Sequence, residues 1–421
     1  VEEKMPLQDV SRMIHYGTDR TVELPLDPVR IVATLSGPPP LEDVPAAVER
    51  ALGTPLDYPP FGKAVVPGDR VAILLDRNLS AESDLVPALW RQLAQSNVSA
   101  SDVQLIHPAS LLPGKFSDPR TGLPEDVRDQ VQWLRHDPTV DGSTGYLATS
   151  AAGERIYLSR DILDADFVVP VGRMTFHSVL GYRSATGLLY PGFSTTESFA
   201  KAHGEGHSEL TPDDERPLQQ LMEEISWLLG LQFVVQVVPS AIGDRPAAIL
   251  GGTPDATFQA GRRLLDEHWK LELGGRVPLV IAAVPSGAAG STWEDLGNAL
   301  ENARGIVERG GRIVLLSDFR GDLGAGMEII RTADNPREAL RPLREMQPAD
   351  FLAASQFARA TDWADVYWLS RMPGEAVEEL FCLPLDEVRE VERLVQHLDE
   401  DCAILGGAQH AFAGVGRDDW D

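Results

Sequence analysis

The stretch 176–207, FHSVLGYRSATGLLYPGFSTTESFAKAHGEGH, gathers three histidines with a turn rich in glycine and hydroxyl side chains. His177 is an imidazole able to take and return a proton near neutral pH. His203 falls in the last turn of an expected helix, where Gly204 is a natural stop. His203 and His207 stand four residues apart, a spacing that on a helix offers both rings to one metal ion, although Gly204 and Gly206 argue that the helix has ended. Ser184, Thr186, Ser194, Thr195 and Thr196 are candidates to line a phosphate or carboxylate pocket through hydroxyls and helix-start amides, and Arg173 and Arg183 bracket the segment as a candidate anion clamp. Each also has an ordinary role open to it: turn and cap for the hydroxyls, solvated surface for the arginines, a satisfied loop position for His177.

The elements that must position these groups are legible on both sides. Asp166-Phe-Val-Val-Pro-Val-Gly172 reads as a buried strand running into a glycine turn, and Ser194-Thr-Thr-Glu197 has the form of a capping box opening a helix. Strand, polar loop and helix start in that order are how α/β proteins build small-molecule sites. Upstream, Arg70-Val-Ala-Ile-Leu-Leu-Asp76 is a nearly continuous apolar run, the mark of a strand covered on both faces. A helix from Ser83 or Asp84, burying Leu85, Leu89 and Leu93 with Pro87 in its first turn, leads to a strand at Val103–Ile106, completing a β-α-β unit. Further strands are expected at Ile31–Leu35, Val131–Leu134, Phe233–Val238, Pro278–Val284, Ile313–Leu316 and Val366–Leu369. Helices are expected over Arg216–Leu229, after a second capping box at Ser291–Glu294 and ending at Gly310-Gly311, and from Pro384 with Val388, Val391, Val395 and Leu398 on one face. Gly251-Gly252 marks the approach to a second α/β domain. The fold class is therefore α/β, two domains with mostly parallel sheets facing across a cleft: residues 1–245, rejoined by 405–421, and residues 246–404.

Composition narrows the function. With 37 basic against 64 acidic residues the formal charge is −27, a field that repels nucleic-acid phosphates and anionic membranes. Neither partner is expected; a small anionic substrate is, with Arg173 and Arg183 as its candidate clamp. Two cysteines, Cys382 and Cys402, make neither a disulfide framework nor a thiolate metal cage. No apolar run approaches the roughly 18 residues of a membrane span. The first residues have no leader pattern, which favours a cytoplasmic protein. No G-x-x-x-x-G-K-[ST] loop, G-x-S-x-G elbow or H-E-x-x-H pair occurs, and Gly251-Gly252 lacks the G-x-G-x-x-G spacing.

The stretch resembles the nickel-pincer-dependent lactate racemases and their homologues. That family runs histidine, a glycine turn, a lysine ten residues on, Pro-Gly, and a second histidine sixteen residues past the lysine; here His177, Gly181, Tyr182, Pro191-Gly192 and His203 fall in place, and Gly187 stands at the lysine position. A second match runs from Phe61 through Asp76 to Pro108. The family continues from the aspartate with Thr-Arg, where this chain has Asn78 and Leu79. Around the family's next catalytic histidine it has Leu111, Leu112 and Pro113, with His107 a few residues early. A third match spans Val284–Gly311, with Asp295 and Asn298 where the family has glutamine and lysine. The resemblance implies an isomerase-lineage protein, of racemase or epimerase type, for a small 2-hydroxy acid or related acid. His177 would be the acid/base and His203 the nickel ligand. Asp76, Gly181, Tyr182, Ser184 and Thr186 would lie at the cofactor, and Arg173 and Arg183 at the substrate. A pincer nucleotide would have to bind without its covalent lysine link. The competing reading is a catalytically silent protein that keeps the scaffold to bind a small anion.

Overall fold

In the computed structural model the described residues are all except 1–12, 78, 111–115, 203, 205, 207–209, 244, 397–399 and 417–421. They fall into two compact units, one within Val1–Gly37, Ala241–Gly243 and Trp269–Asp421, the other within Pro38–Ser240 and Asp244–His268. Both are α/β with mostly parallel sheets.

The second of these carries the histidine segment. Its six-stranded sheet has the order Pro246–Gly252, Val234–Pro239, Phe167–Arg173, Val71–Leu75, Val103–His107, Gln132–Arg135, with the first strand antiparallel and the others parallel. Val71–Leu75 is buried at every position because both faces of the sheet are covered. Alternate side chains divide between them. Val71, Ile73 and Leu75 join Val48 and Leu52 and the helix residues Leu85, Leu89 and Leu93. Ala72 and Leu74 pack with Leu188, Leu189, Phe193, Met222 and Ile225. The histidine segment thus serves the fold too: its apolar residues roof one face of the sheet.

The first unit has a six-stranded, wholly parallel sheet in the order Leu383–Leu385, Asp365–Leu369, Val307–Leu316, Val277–Ala283, Cys402–Gly406, Ile31–Leu35. One face packs Leu279, Ile281 and Ala283 with Ile14, Tyr16, Val391 and Val395. The helix Trp293–Ile306 buries Leu296, Ala299, Leu300, Ala303 and Ile306. Cys382 and Cys402 are buried free thiols, and burial pushes Cys402 up to about 11.

Several local expectations shift. The helix after Val71–Leu75 is Glu82–Gln95, which places Pro87 beyond its first turn. Gly310-Gly311 do not end a helix: the helix stops at Ile306 and both glycines lie within the strand Val307–Leu316. Pro384 pairs with Trp368 in a strand, and the following helix is Val388–Gln396. Leu398 lies outside the described residues. The cap expected at Ser291 is one residue later, where Thr292 Oγ1 accepts from the Asp295 amide at 3.2 Å and the Asp295 carboxylate accepts from the Thr292 amide at 2.8 Å.

Candidate functional site

Strand order in the second unit reverses between Val71–Leu75 and Phe167–Arg173, since the chain runs outward from the first through Val103–His107 and Gln132–Arg135 before returning to the other side. The carboxyl ends of strands at such a reversal diverge and leave a crevice, the usual ligand position in open α/β sheets. Asp76 and Arg173 stand there. Asp76 follows the first strand, donates its amide to the Val171 carbonyl at 3.0 Å, and has a side chain only 1% exposed.

The Asp76 carboxylate is the hub. It accepts from Arg183 Nη2 at 2.9 Å, from Arg173 Nε at 3.4 Å, and from the amides of Arg77 at 2.8 Å and Arg173 at 3.3 Å. Burial alone pushes this acid's pKa up, but the Arg183 and Arg173 guanidinium groups and the two amides outweigh it and hold it below the usual carboxylate range. Two guanidinium groups thus converge on one buried carboxylate, in a chain whose total charge is −27.

Arg183 comes from a short hairpin, Thr175–His177 paired with Gly181–Arg183. Gly181 has φ +73°, and a Cβ there would lie 2.4 Å from the Pro212 carbonyl oxygen and 2.7 Å from Arg216 Nη1, so only glycine fits. His177 pairs with Gly181 and Thr175 with Arg183, whereas Phe176 pairs with Tyr182. Paired residues share a face. His177 and Arg183 therefore lie on one face, Phe176 and Tyr182 on the other, with those two rings 5.3 Å apart. His177 is half-buried, and its Nδ1 accepts from the Val179 amide at 3.3 Å, which in the neutral ring puts the proton on Nε2.

The opposite face holds a second constellation. The Tyr182 hydroxyl lies 2.7 Å from Asp266 and 2.9 Å from Asp213; Arg262 pairs with both carboxylates and covers the Tyr182 ring at 5.2 Å. Burial, then the two carboxylates, raise the phenol's pKa well above its ordinary value, so Tyr182 stays protonated and acts as a fixed donor. Leu180, Tyr182, Ser184, Thr186 and Gly187 line a cavity of about 360 Å³ with residues of the helix Pro217–Leu228 and the start of the helix Pro254–His268. The Ser184 and Thr186 hydroxyls bond each other at 2.7 Å.

The residues singled out in the sequence thus separate. Asp76, Arg173 and Arg183 converge, with His177 on Arg183's side of the hairpin; Tyr182, Ser184 and Thr186 line the cavity instead, and Gly181 makes the turn between. His203 and His207 lie outside the described residues. Among the described residues no group of three or more His, Cys, Asp or Glu is placed to hold a metal ion. The tethered cofactor of the resemblance does not fit the residues described, because Gly187 has no side chain and no lysine is among the described residues lining the cavity it opens on. Ser194 does not form the expected box with Glu197: its hydroxyl donates to the Tyr157 carbonyl at 2.6 Å, and the helix begins at Thr196.

Sequence reasoning missed Asp213, Arg262 and Asp266, although Arg262 and Asp266 stand four apart on one helix face, a readable signal. It also left His107 without a role. His107 ends its strand 3% exposed; its Nδ1 accepts from Trp133 Nε1 at 3.0 Å and its Nε2 lies 3.7 Å from Glu82. Nearby, Arg77 bonds Ser110 and lies over the Phe116 ring.

Residues 16–211 match the family described as Lactate racemase N-terminal domain. No curated protein matches the chain. Among solved structures, the lactate racemase apoprotein from Thermoanaerobacterium thermosaccharolyticum is similar over 96% of this chain and 99% of its own, with a TM-score of 0.75 at 14% identity. A Thermotoga maritima protein solved by a structural genomics consortium is similar over 89% and 98%, with a TM-score of 0.65 at 12% identity. At these identities the likeness is one of fold.

Proposed function

The chain is a lactate racemase-like family member by its residues 16–211 and its fold, and from that premise we propose an isomerase-lineage site for a small 2-hydroxy acid or related acid at the sheet's reversal point. The observation that carries this reading is the convergence of Arg173 and Arg183 on buried Asp76, on the same side as His177. Asp76 fixes two planar forks at the carboxyl ends of the strands, and planar guanidinium forks suit a substrate carboxylate. His177 is the acid/base for the substrate hydroxyl, its Nδ1 oriented by the Val179 amide. Inverting the carbon also requires a hydrogen acceptor; the family relationship suggests a nickel-pincer nucleotide, and Gly187 means that any such group is held without a covalent tether.

The test is co-expression with the cofactor-making enzymes, followed by chiral analysis of lactate, intact mass and a nickel assay. The reading expects racemisation lost on His177→Ala, with no covalent adduct on the chain. Absence of any turnover, with lactate still bound, supports the second reading, a silent small-anion binder, which Gly187 at the tether position favours.

A further inference from the structure

Behind the hairpin, on the face away from His177 and Arg183, the cavity of about 360 Å³ has walls that do not suit an anion. Among the described residues lining it, the large surfaces are Tyr182, Trp227, Phe258 and Met222, and the charged residues are Glu223 and Asp255, with no lysine or arginine. The helix Pro254–His268 starts here, a place that elsewhere attracts anions. Here little amide capacity remains. Pro254 has no N–H, the Ala256 amide donates to Thr253 Oγ1 at 3.3 Å, and the Thr257 amide donates to the Thr253 carbonyl at 3.1 Å. Carboxylates beside aromatic faces attract a cation through charge and through the ring quadrupole together. A cavity of this size admits one small organic molecule.

We infer that this cavity is a second, non-covalent binding site whose ligand is a small cation with an apolar or aromatic body, such as an aryl-alkyl ammonium. Trp227, 80% exposed on its helix, is the open wall over the bound cation. The Ser184 and Thr186 hydroxyls are the polar contacts at the inner end. Gly187 keeps the space clear: a Cβ there would meet only Met222 Sδ at 3.7 Å and Leu180 Cδ1 at 4.0 Å, ordinary contacts, so a longer side chain would extend into the cavity without a backbone clash. This inference goes beyond the hydroxy-acid reading and does not rest on it, because the two sites share no charged residue.

The experiment is calorimetric titration of the full chain with benzyltrimethylammonium and, separately, with 3-phenylpropionate, which has a similar body and the opposite charge. The cation should bind at least about ten times more tightly than the anion. Trp227→Ala, at an exposed position, should weaken it about three- to thirty-fold. Gly187→Lys should abolish it by placing an ammonium group in the same space, with an unchanged melting curve. Binding of the anion as tightly as the cation, binding of neither, or a titration indifferent to both substitutions overturns the assignment.

Discussion

At the scale of single residues, Asp76 does most to define the site. Its carboxylate is buried against two guanidinium groups, and removing its charge leaves those groups facing each other with about one-fifth of each side chain exposed. Asp76→Asn is expected to cost about 3 kcal/mol, the lower end for breaking a buried ion pair, because water reaches the arginines. The pH dependence has a definite sign. The folded-state pKa of Asp76 is lowered, so its contribution is complete above the unfolded value of about 3.9 and is lost as pH falls through the lower folded value. Thermal unfolding followed from pH 6 downward should show an acid-dependent loss in the wild type that is smaller in Asp76→Asn; identical acid slopes would contradict this. Tyr182 tests the other face. Tyr182→Phe removes the hydroxyl that Asp213 and Asp266 share, with an expected cost of about 1–2 kcal/mol in a denaturation experiment. Tyr182 lies on the hairpin face away from His177 and Arg183, so lactate binding should survive its loss.

The hairpin is the element that separates the two sites, and its pleat explains why the sequence suggested one. His177 and Tyr182 are close along the chain, yet a two-residue period puts Tyr182 on the face opposite His177 and Arg183. The pairing depends on Gly181. Gly181→Ala combines a left-handed φ with a backbone clash at Pro212, and should cost about 2 kcal/mol or more and weaken anything His177 does. Gly187→Ala, six residues on, meets only ordinary contacts and should change stability by less than about 1 kcal/mol. Paired melting curves decide between these outcomes. Element boundaries were misread where two residues could play one part. Adjacent Ser-Thr and Thr-Thr pairs both offer capping hydroxyls, and the structure uses Thr292 with Asp295 and frees Ser194 for the Tyr157 carbonyl. Pro384 looked like a helix opener because proline suits a first turn, but an edge strand tolerates its missing amide equally well.

Over the whole molecule, the α/β class was legible because parallel strands buried on both faces are written as unbroken apolar runs, as in Val71–Leu75 and Val277–Ala283. Strand order was not legible. No local pattern tells a chain that has built three strands outward to return beside the first, and that return is what brings Arg173 to Asp76, 97 residues apart. The acidic total charge was visible; the convergence of Arg173 and Arg183 on Asp76 was not, because it depends on the strand order. No helix among the described residues is long and apolar enough to cross a membrane. In the proposed function, the reversal point of the second unit binds a hydroxy-acid carboxylate beside His177. The most direct measurement is calorimetric titration of lactate into the wild type, Arg183→Leu and Trp227→Ala. Binding should be weakened about tenfold or more by Arg183→Leu and left unchanged by Trp227→Ala; lactate binding that ignores Arg183 or disappears with Trp227 overturns the assignment.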